Sequence, residues 1–387
     1  MSLEGVVDLP LHDGHVPPWL IKLMKKMAKA IVEVIVIEEG PSSLVKKLSN
    51  PLWFQALNNV IGMDWDSSGS TTVTTGVLKE VLWETPELGV LIVGGKGAKA
   101  RRAPEEIARA SEALNIPYNV EAHLVNCSKL AAKVDSALLQ DKYLLYHHSM
   151  ALSERGEWSI VQQGMNTSLK LARRYHWLNS SSFTIEPHEG VAGYRHRKVL
   201  NLVSRESIRV QRVLLDLANE RPLKVLNLYA EALTIAKGIK PLSLYMLESG
   251  TGLVAEINDL TYYRPLPRSS ALLKSLNLTY EACPHDVEEL LLIKGVGPST
   301  IRALALISEL IFGEKPSTKD PVTAPLDPFK YSYAIGGKDG VPYPINKEDV
   351  EKVVTTLEDI VSSVKLGNKE KLLALKRLRR LKLYFSK

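Results

Sequence analysis

The sequence predicts an α+β protein: an N-terminal mixed α/β domain followed by a mostly helical domain. Three observations lead there. Short apolar runs closed by glycines alternate with helical patterns in the first half. From about residue 205 onward, long helical patterns take over. The 387 residues, 45% hydrophobic and 24% charged, suit a globular chain long enough for two or three cores.

The first element is PPWLIKLMKKMAKAIVEVIVIEE, residues 17–39, whose apolar residues keep helical spacing behind a proline suited to a first turn. Gly40-Pro41 ends it. GVLIVGG (89–95) reads as a strand and APEEIARASEALN (103–115) as the helix after it. KYLLYHHSMALSERGEWSIVQQG (142–164) reads as two strands around the turn Glu154-Arg155-Gly156-Glu157. ESIRVQRVLLDLANE, LKVLNLYAEALTIAKG, DVEELLLIKG and STIRALALISELIFG follow as helices. GEKPSTKDPVTAPLDP (313–328), with its four prolines, reads as a loop or linker, and DVEKVVTTLEDIVSSVKLG (349–367) resumes helix. The expected domains are 1–205, mixed and catalytic; 206–325, helical; and 326–387, a helical extension with a basic tail.

Composition and charge narrow the function. No apolar run reaches the roughly 18 residues of a membrane span, and the N-terminus MSLEGVVDLP has no basic region leading into an apolar one, so a cytoplasmic protein is expected. Cys127 and Cys283 are too far apart in sequence for a CxxC zinc site or a disulfide framework. The net charge of +6 sits in the tail: residues 369–387 carry eight Lys or Arg against one Glu, including Lys376, Arg377, Arg379 and Arg380. Leu372, Leu375, Leu378 and Leu381 recur every third residue there, as in an amphipathic helix with a basic outer face. A phosphate-rich partner, or simply a solvated helix face, accounts for that pattern.

LLIKGVGPSTIRALALI, residues 291–307, reads as helix, tight turn, helix. Glycines at 295 and 297 are expected to supply positive φ, and the helix beginning at Pro298 offers unpaired N–H groups to an anion. The stretch resembles the helix-hairpin-helix motif of DNA-repair proteins, which implies backbone contact with DNA through Ile293, Gly295, Val296, Gly297, Ser299, Thr300 and Arg302. A plain glycine-rich helix corner is the alternative. Base-excision glycosylases of that group continue to an essential Asp, here matched by Asp320 seven residues after Gly313. Ser299 stands where bifunctional members carry their Lys, so a Schiff-base mechanism lacks its nucleophile.

Six of the nine histidines fall between residues 123 and 196. That region supplies the catalytic candidates Lys133, Asp135, Asp141, His147, His148 and His176, with Asp135 and Asp141 as ligands for Mg²⁺ or Mn²⁺ and Arg173 and Arg174 facing a phosphate. Neighbouring His147 and His148 must face opposite sides of a strand. Asp64, Asp66 and Glu186 are the next carboxylates. VGGKGAKARR (93–102) offers Lys96, Lys99, Arg101 and Arg102 for phosphate contact, although it does not match the P-loop spacing.

DLPLHDGHVPPWL, NPLWFQALNNVIG, KVDSALLQDKYLLYHH, VQQGMN, ARRYHW and YAIGGKDGVPYPI together resemble the archaeal family called domain of unknown function 763. The resemblance implies a mixed domain followed by a helical one with the hairpin, and an association with DNA repair or processing. The expected function is a metal-dependent, structure-preferring DNA nuclease; the alternatives are a non-catalytic DNA-binding scaffold or a glycosylase using Asp320. DNA is the expected partner, other DNA-repair proteins are compatible, and so is a homo-oligomer.

Overall fold

The computed structural model describes residues 18–63, 68–180, 182–237 and 257–323, with 355, 358–363, 371–372 and 375–376. Asp64, Asp66, Arg377, Arg379, Arg380, the YAIGGKDGVPYPI motif and most of the expected 326–387 extension lie outside the described residues.

Four helices come first: α1 (Pro18–Glu39), α2 (Pro41–Ser49), α3 (Pro51–Ile61) and α4 (Ser68–Glu84). Pro41 and Pro51 occupy first turns, where a missing N–H costs nothing, and Asn50 caps α3 by accepting from the N–H groups of Leu52 and Trp53. α4 arises from the Ser/Thr-rich stretch, whose β-branched residues are modest helix formers. Tertiary bonds override that preference. Ser68, Ser70, Thr71, Thr74 and Thr75 are buried, and Thr71 and Thr75 bond Gln163 and His147 of the sheet.

The sheet and its second cover follow: β1 (Val90–Lys96), a single turn α5 (Ala98–Arg101), α6 (Ala103–Ala113), α7 (Tyr118–Lys133) and a five-residue π-helical turn, Val134–Leu138. Next come β2 (Leu139–Gln140), β3 (Leu144–Ser153), β4 (Trp158–Asn166), β5 (Leu171–Leu178), β6 (His188–Ala192) and β7 (Leu200–Asn201). Five strands form an antiparallel sheet in the order β1-β3-β4-β5-β6, and β2 pairs with β7. The expected hairpin is β3–β4, turning at residues 154–157. Helices α2 and α4 lie on one face of the sheet, with α1 packed on both; α6 and α7 cover the other. Gly94 lets β1 approach β3: its φ is +83°, and an added Cβ would lie 2.2 Å from the His148 carbonyl oxygen.

The helical half comprises α8 (Ile208–Ala218), α9 (Pro222–Ile235), α10 (Ser269–Ala282), α11 (Val287–Leu292) and α12 (Pro298–Phe312). α12 packs on α8, α9 and the π-helical turn, while α11 packs on α7, so the two halves share one apolar core. The described part of the expected linker, 313–323, is an extended segment stitched onto the mixed half. Val199 N–H donates to Thr318 O at 3.0 Å, Asn201 N–H to Ser317 O at 3.0 Å, and Thr323 N–H to Val191 O at 3.1 Å. Among the described residues no helix is long and apolar enough to cross a membrane.

Candidate functional site

Strand pairing decides which side chains meet. His148 aligns with Gln162, and Gln162 with Tyr175; one residue along, His147 aligns with Gln163, and Gln163 with Arg174. Because successive side chains alternate, these two rows face opposite helical layers.

On the α7 face His148 is fully engaged. Its Nδ1 lies 2.9 Å from Gln162 Oε1 and its Nε2 2.8 Å from Ser128 Oγ. The Gln162 amide donates to Ala131 O at 3.1 Å and to Asp135 Oδ2 at 2.5 Å, which turns its Oε1 toward the imidazole. Nδ1 therefore carries the proton, and the Nε2 lone pair faces the Ser128 hydroxyl. Burial holds His148 below the ordinary imidazole range, against the upward pull of Gln162 and Asp135. Asp135, presented by the π-helical turn and wholly buried, also accepts from Trp177 Nε1 at 2.9 Å and bonds His188 Nε2 at 2.5 Å.

Ser128 and His148 line a cavity of about 720 Å³ between α5, α7, β3 and the end of α11. Arg101, Lys129 and Lys133 also line it, and no Asp or Glu does. Arg101 and Lys129 are exposed. Lys133 is half-buried, which lowers its pKa, and its ammonium donates to Val296 O at 2.6 Å. That bond ties the cavity to the glycine turn.

In the turn between α11 and α12, Gly295 has a φ of +99° and its position leaves only 2.9 Å between an added Cβ and Leu278 Cδ1. Gly297 does not have the expected positive φ. It is extended, at φ −151°, with open space where a side chain would go. Among the described residues the N–H groups of Gly297, Ser299 and Thr300 meet no acceptor, leaving the positive end of the 15-residue α12 unpaired. Ile293 is half-buried and Val296 and Thr300 are buried, while Lys294 and Pro298 are exposed beside the turn's backbone.

A family model described as a protein of unknown function, DUF763, matches residues 5–345. The chain belongs to that family. Neither a curated protein nor a solved structure matches it.

The fold of this DUF763 member corrects several of the expected sites. Arg173 and Arg174, expected at a phosphate, are completely buried. Arg173 donates to Asp141 Oδ2 at 2.7 Å and through both terminal nitrogens to Asp320, at 3.0 and 2.6 Å. Burial penalises that guanidinium, but the carboxylates of Asp141 and Asp320 outweigh the penalty and keep it protonated. Arg174 lies among Thr71, Ser70 and Gln55, with its guanidinium 4.7 Å from the Phe54 ring centroid. Arg302 is spent on Gln140 Oε1, at 2.5 Å, and Pro265 O, at 2.9 Å.

Asp135 and Asp141, expected to share a metal ion, belong to separate networks. Asp141 accepts from Arg173, from Tyr175 OH at 2.7 Å and from Tyr143 N–H at 3.1 Å. With their oxygens committed to protein donors, the two do not fit a divalent ion. Among the described residues no group of three or more His, Cys, Asp or Glu side chains could hold one. His176 lies on the other face, with Nδ1 3.3 Å from Leu48 O and its ring edge-on to Phe54. Glu186 pairs with Arg205. Lys96, Lys99, Arg101 and Arg102 are exposed on and beside α5, and Lys376 is exposed too.

The structure thus unites Lys133, His148 and Arg101 with Ser128, Lys129 and Gln162. Ser128 escaped the sequence reading, although it interrupts the apolar stripe of Leu124, Cys127 and Ala131 on α7. A polar residue at a core position was the available signal.

Proposed function

We propose that this protein binds DNA along its sugar–phosphate backbone and acts on the phosphodiester in the cavity beside the glycine turn. The observation that carries the reading is the Lys133–Val296 bond, which makes one continuous surface of the backbone N–H groups at the turn and the cations Arg101, Lys129 and Lys133. Backbone amides and clustered cations hold phosphate without reading bases, so binding is expected to be sequence-independent and salt-sensitive. Each neutralised phosphate contributes about −0.9 to the slope of log affinity against log salt.

The test compares wild type with the double variant Arg101→Glu, Lys129→Glu, on duplex and flap DNA, from about 50 to 200 mM salt. The expected outcome is at least tenfold weaker binding and a salt slope shallower by about two. An unchanged slope would refute the reading. Strand scission in the same reactions separates an enzyme from a binding scaffold, which would shift DNA without making products. The glycosylase alternative draws no support from the geometry: Asp320 is clamped to Arg173 and also accepts from His196 N–H at 2.7 Å.

A further inference from the structure

Several serines and threonines of this fold's helices bond the carbonyl one turn back. Ser136 Oγ donates to Ala132 O, Thr75 Oγ1 to Thr71 O, Thr85 Oγ1 to Val81 O and Thr234 Oγ1 to Ala230 O. Ser128, in the middle of α7, does not. Its hydroxyl instead points across to the sheet, to the imidazole nitrogen whose lone pair is free to take a proton, on the wall of a cavity that is cationic and has no carboxylate.

We propose that Ser128 is a nucleophile, with His148 as its general base and Gln162, braced by Asp135, as the group that positions the imidazole. The arrangement has the parts of a nucleophile, base and orienting acceptor in series, with a neutral amide oxygen in the orienting place. The substrate class, an anionic phosphodiester, rests on the function proposed above; the nucleophile does not.

The step balances without a metal. Ser128 Oγ attacks phosphorus while its proton passes to His148 Nε2, and the P–O bond to the leaving strand breaks. The leaving oxygen takes the proton back from His148, which leaves a phosphoserine diester and a free strand end. Water, deprotonated by His148, then attacks phosphorus and releases Ser128; attack by the strand hydroxyl instead reseals the DNA. Arg101, Lys129 and Lys133 face the charge that gathers on the non-bridging oxygens. Burial keeps His148 neutral and so able to accept the proton.

The test uses the full chain and two probes. A fluorophosphonate, which loses fluoride to an activated serine, is expected to label Ser128 in wild type, not to label Ser128→Ala, and to react at least a hundredfold more slowly with His148→Asn. Ser128→Cys keeps a nucleophile in place should the alanine variant fold poorly, and its thiol is expected to be alkylated faster than a free thiol. Gln162→Glu puts a carboxylate on Nδ1–H, favours the imidazolium and is expected to move the acid limb of the labelling rate up by about one pH unit. A merely structural Gln162 would change stability and leave that limb in place.

The second probe is end-labelled DNA, expected to appear as a denaturant-resistant adduct on wild type and not on Ser128→Ala. No labelling at Ser128, or equal labelling of His148→Asn, overturns the nucleophile. Labelling together with DNA binding but without adduct or cleavage overturns the phosphodiester assignment. Labelling without DNA binding refutes the proposed function and leaves the nucleophile standing.

Discussion

The two faces of the central sheet carry nearly the same chemistry and put it to different uses. On one, His148, Gln162 and Asp135 form a bonded chain that ends at a hydroxyl on a cavity wall. On the other, His147, Gln163 and Arg174 lie beneath α4, whose threonines accept and donate in place of water. His147 Nε2 is 3.1 Å from Thr75 Oγ1, and its buried Nδ1 has no protein partner. The lesson is that adjacent histidines on a strand are not a pair. What distinguishes them is the cover each imidazole meets: α4, whose Thr75 lines a cavity that also holds Glu80 and Glu106, over one, and α7, beside a cavity with no carboxylate, over the other.

The largest effect expected from disturbing these faces is at Arg173. Arg173→Met leaves Asp141 and Asp320 buried without their cation, and is expected to cost about 3–5 kcal/mol in urea unfolding. A loss below about 1 kcal/mol would mean that the triad contributes little. Gly94→Ala comes next, because its Cβ would meet the backbone of β3 rather than a side chain that can turn away. A loss of about 2 kcal/mol or more is expected. Gly297→Ala, with extended backbone and open space, is expected to leave stability within about 0.5 kcal/mol of wild type.

Acid sharpens the contrast further. Burial pushes His147 down to about 3, with neighbouring His148, Arg174 and Lys96 adding to it, and burial also lowers His176 well below its usual range. Both are neutral in the fold but protonate near 6.5 once unfolded, so their contribution is whole above that value and is lost as pH falls toward 3. The unfolding free energy is expected to fall by about 1.4 kcal/mol per pH unit for each such histidine below pH 6. His147→Gln is expected to flatten that slope by one histidine's share; an unchanged slope would show that His147 is protonated in the fold. A moderate effect is expected at Asp135→Asn, which keeps the shape but offers Gln162 a weaker acceptor. Labelling of Ser128 should slow severalfold while the melting temperature falls by only a few degrees.

Much of the frame was legible in the sequence. Apolar periodicity located α1, β1 and α6, the polar turn at 154–157 located the β3–β4 hairpin, and the alternation of strands separated His147 from His148. The glycine turn was legible as backbone geometry at Gly295 but not at Gly297, since a local motif does not say which glycine needs left-handed φ. ARRYHW hid β5. Both faces of that strand are buried, so polar and apolar residues do not alternate, and two arginines in a row read as surface. Lys and Arg are rarely buried unless paired, and Arg173 finds its carboxylates 32 and 147 positions away. The Ser/Thr-rich stretch hid α4 for the same reason: the partners that make its hydroxyls welcome inside are Gln163, Arg174 and His147, which local sequence does not display. Ser128 is the extreme case, a single hydroxyl defined by one imidazole on a distant strand.

The clamp between Arg173 and Asp320 also sets an order of events during synthesis. The guanidinium is made 147 residues before the carboxylate that completes its pairing, so a nascent chain that has emerged as far as residue 205 holds a cation with only Asp141 to neutralise it. The sheet can collapse around that charge only after the helical half has been translated and residues 317–323 have returned to β6 and β7. High contact order of this kind slows folding and leaves strand edges open to other chains meanwhile. A fragment cut at residue 205 should therefore aggregate when expressed alone, and supplying the remainder as a separate polypeptide should rescue its solubility.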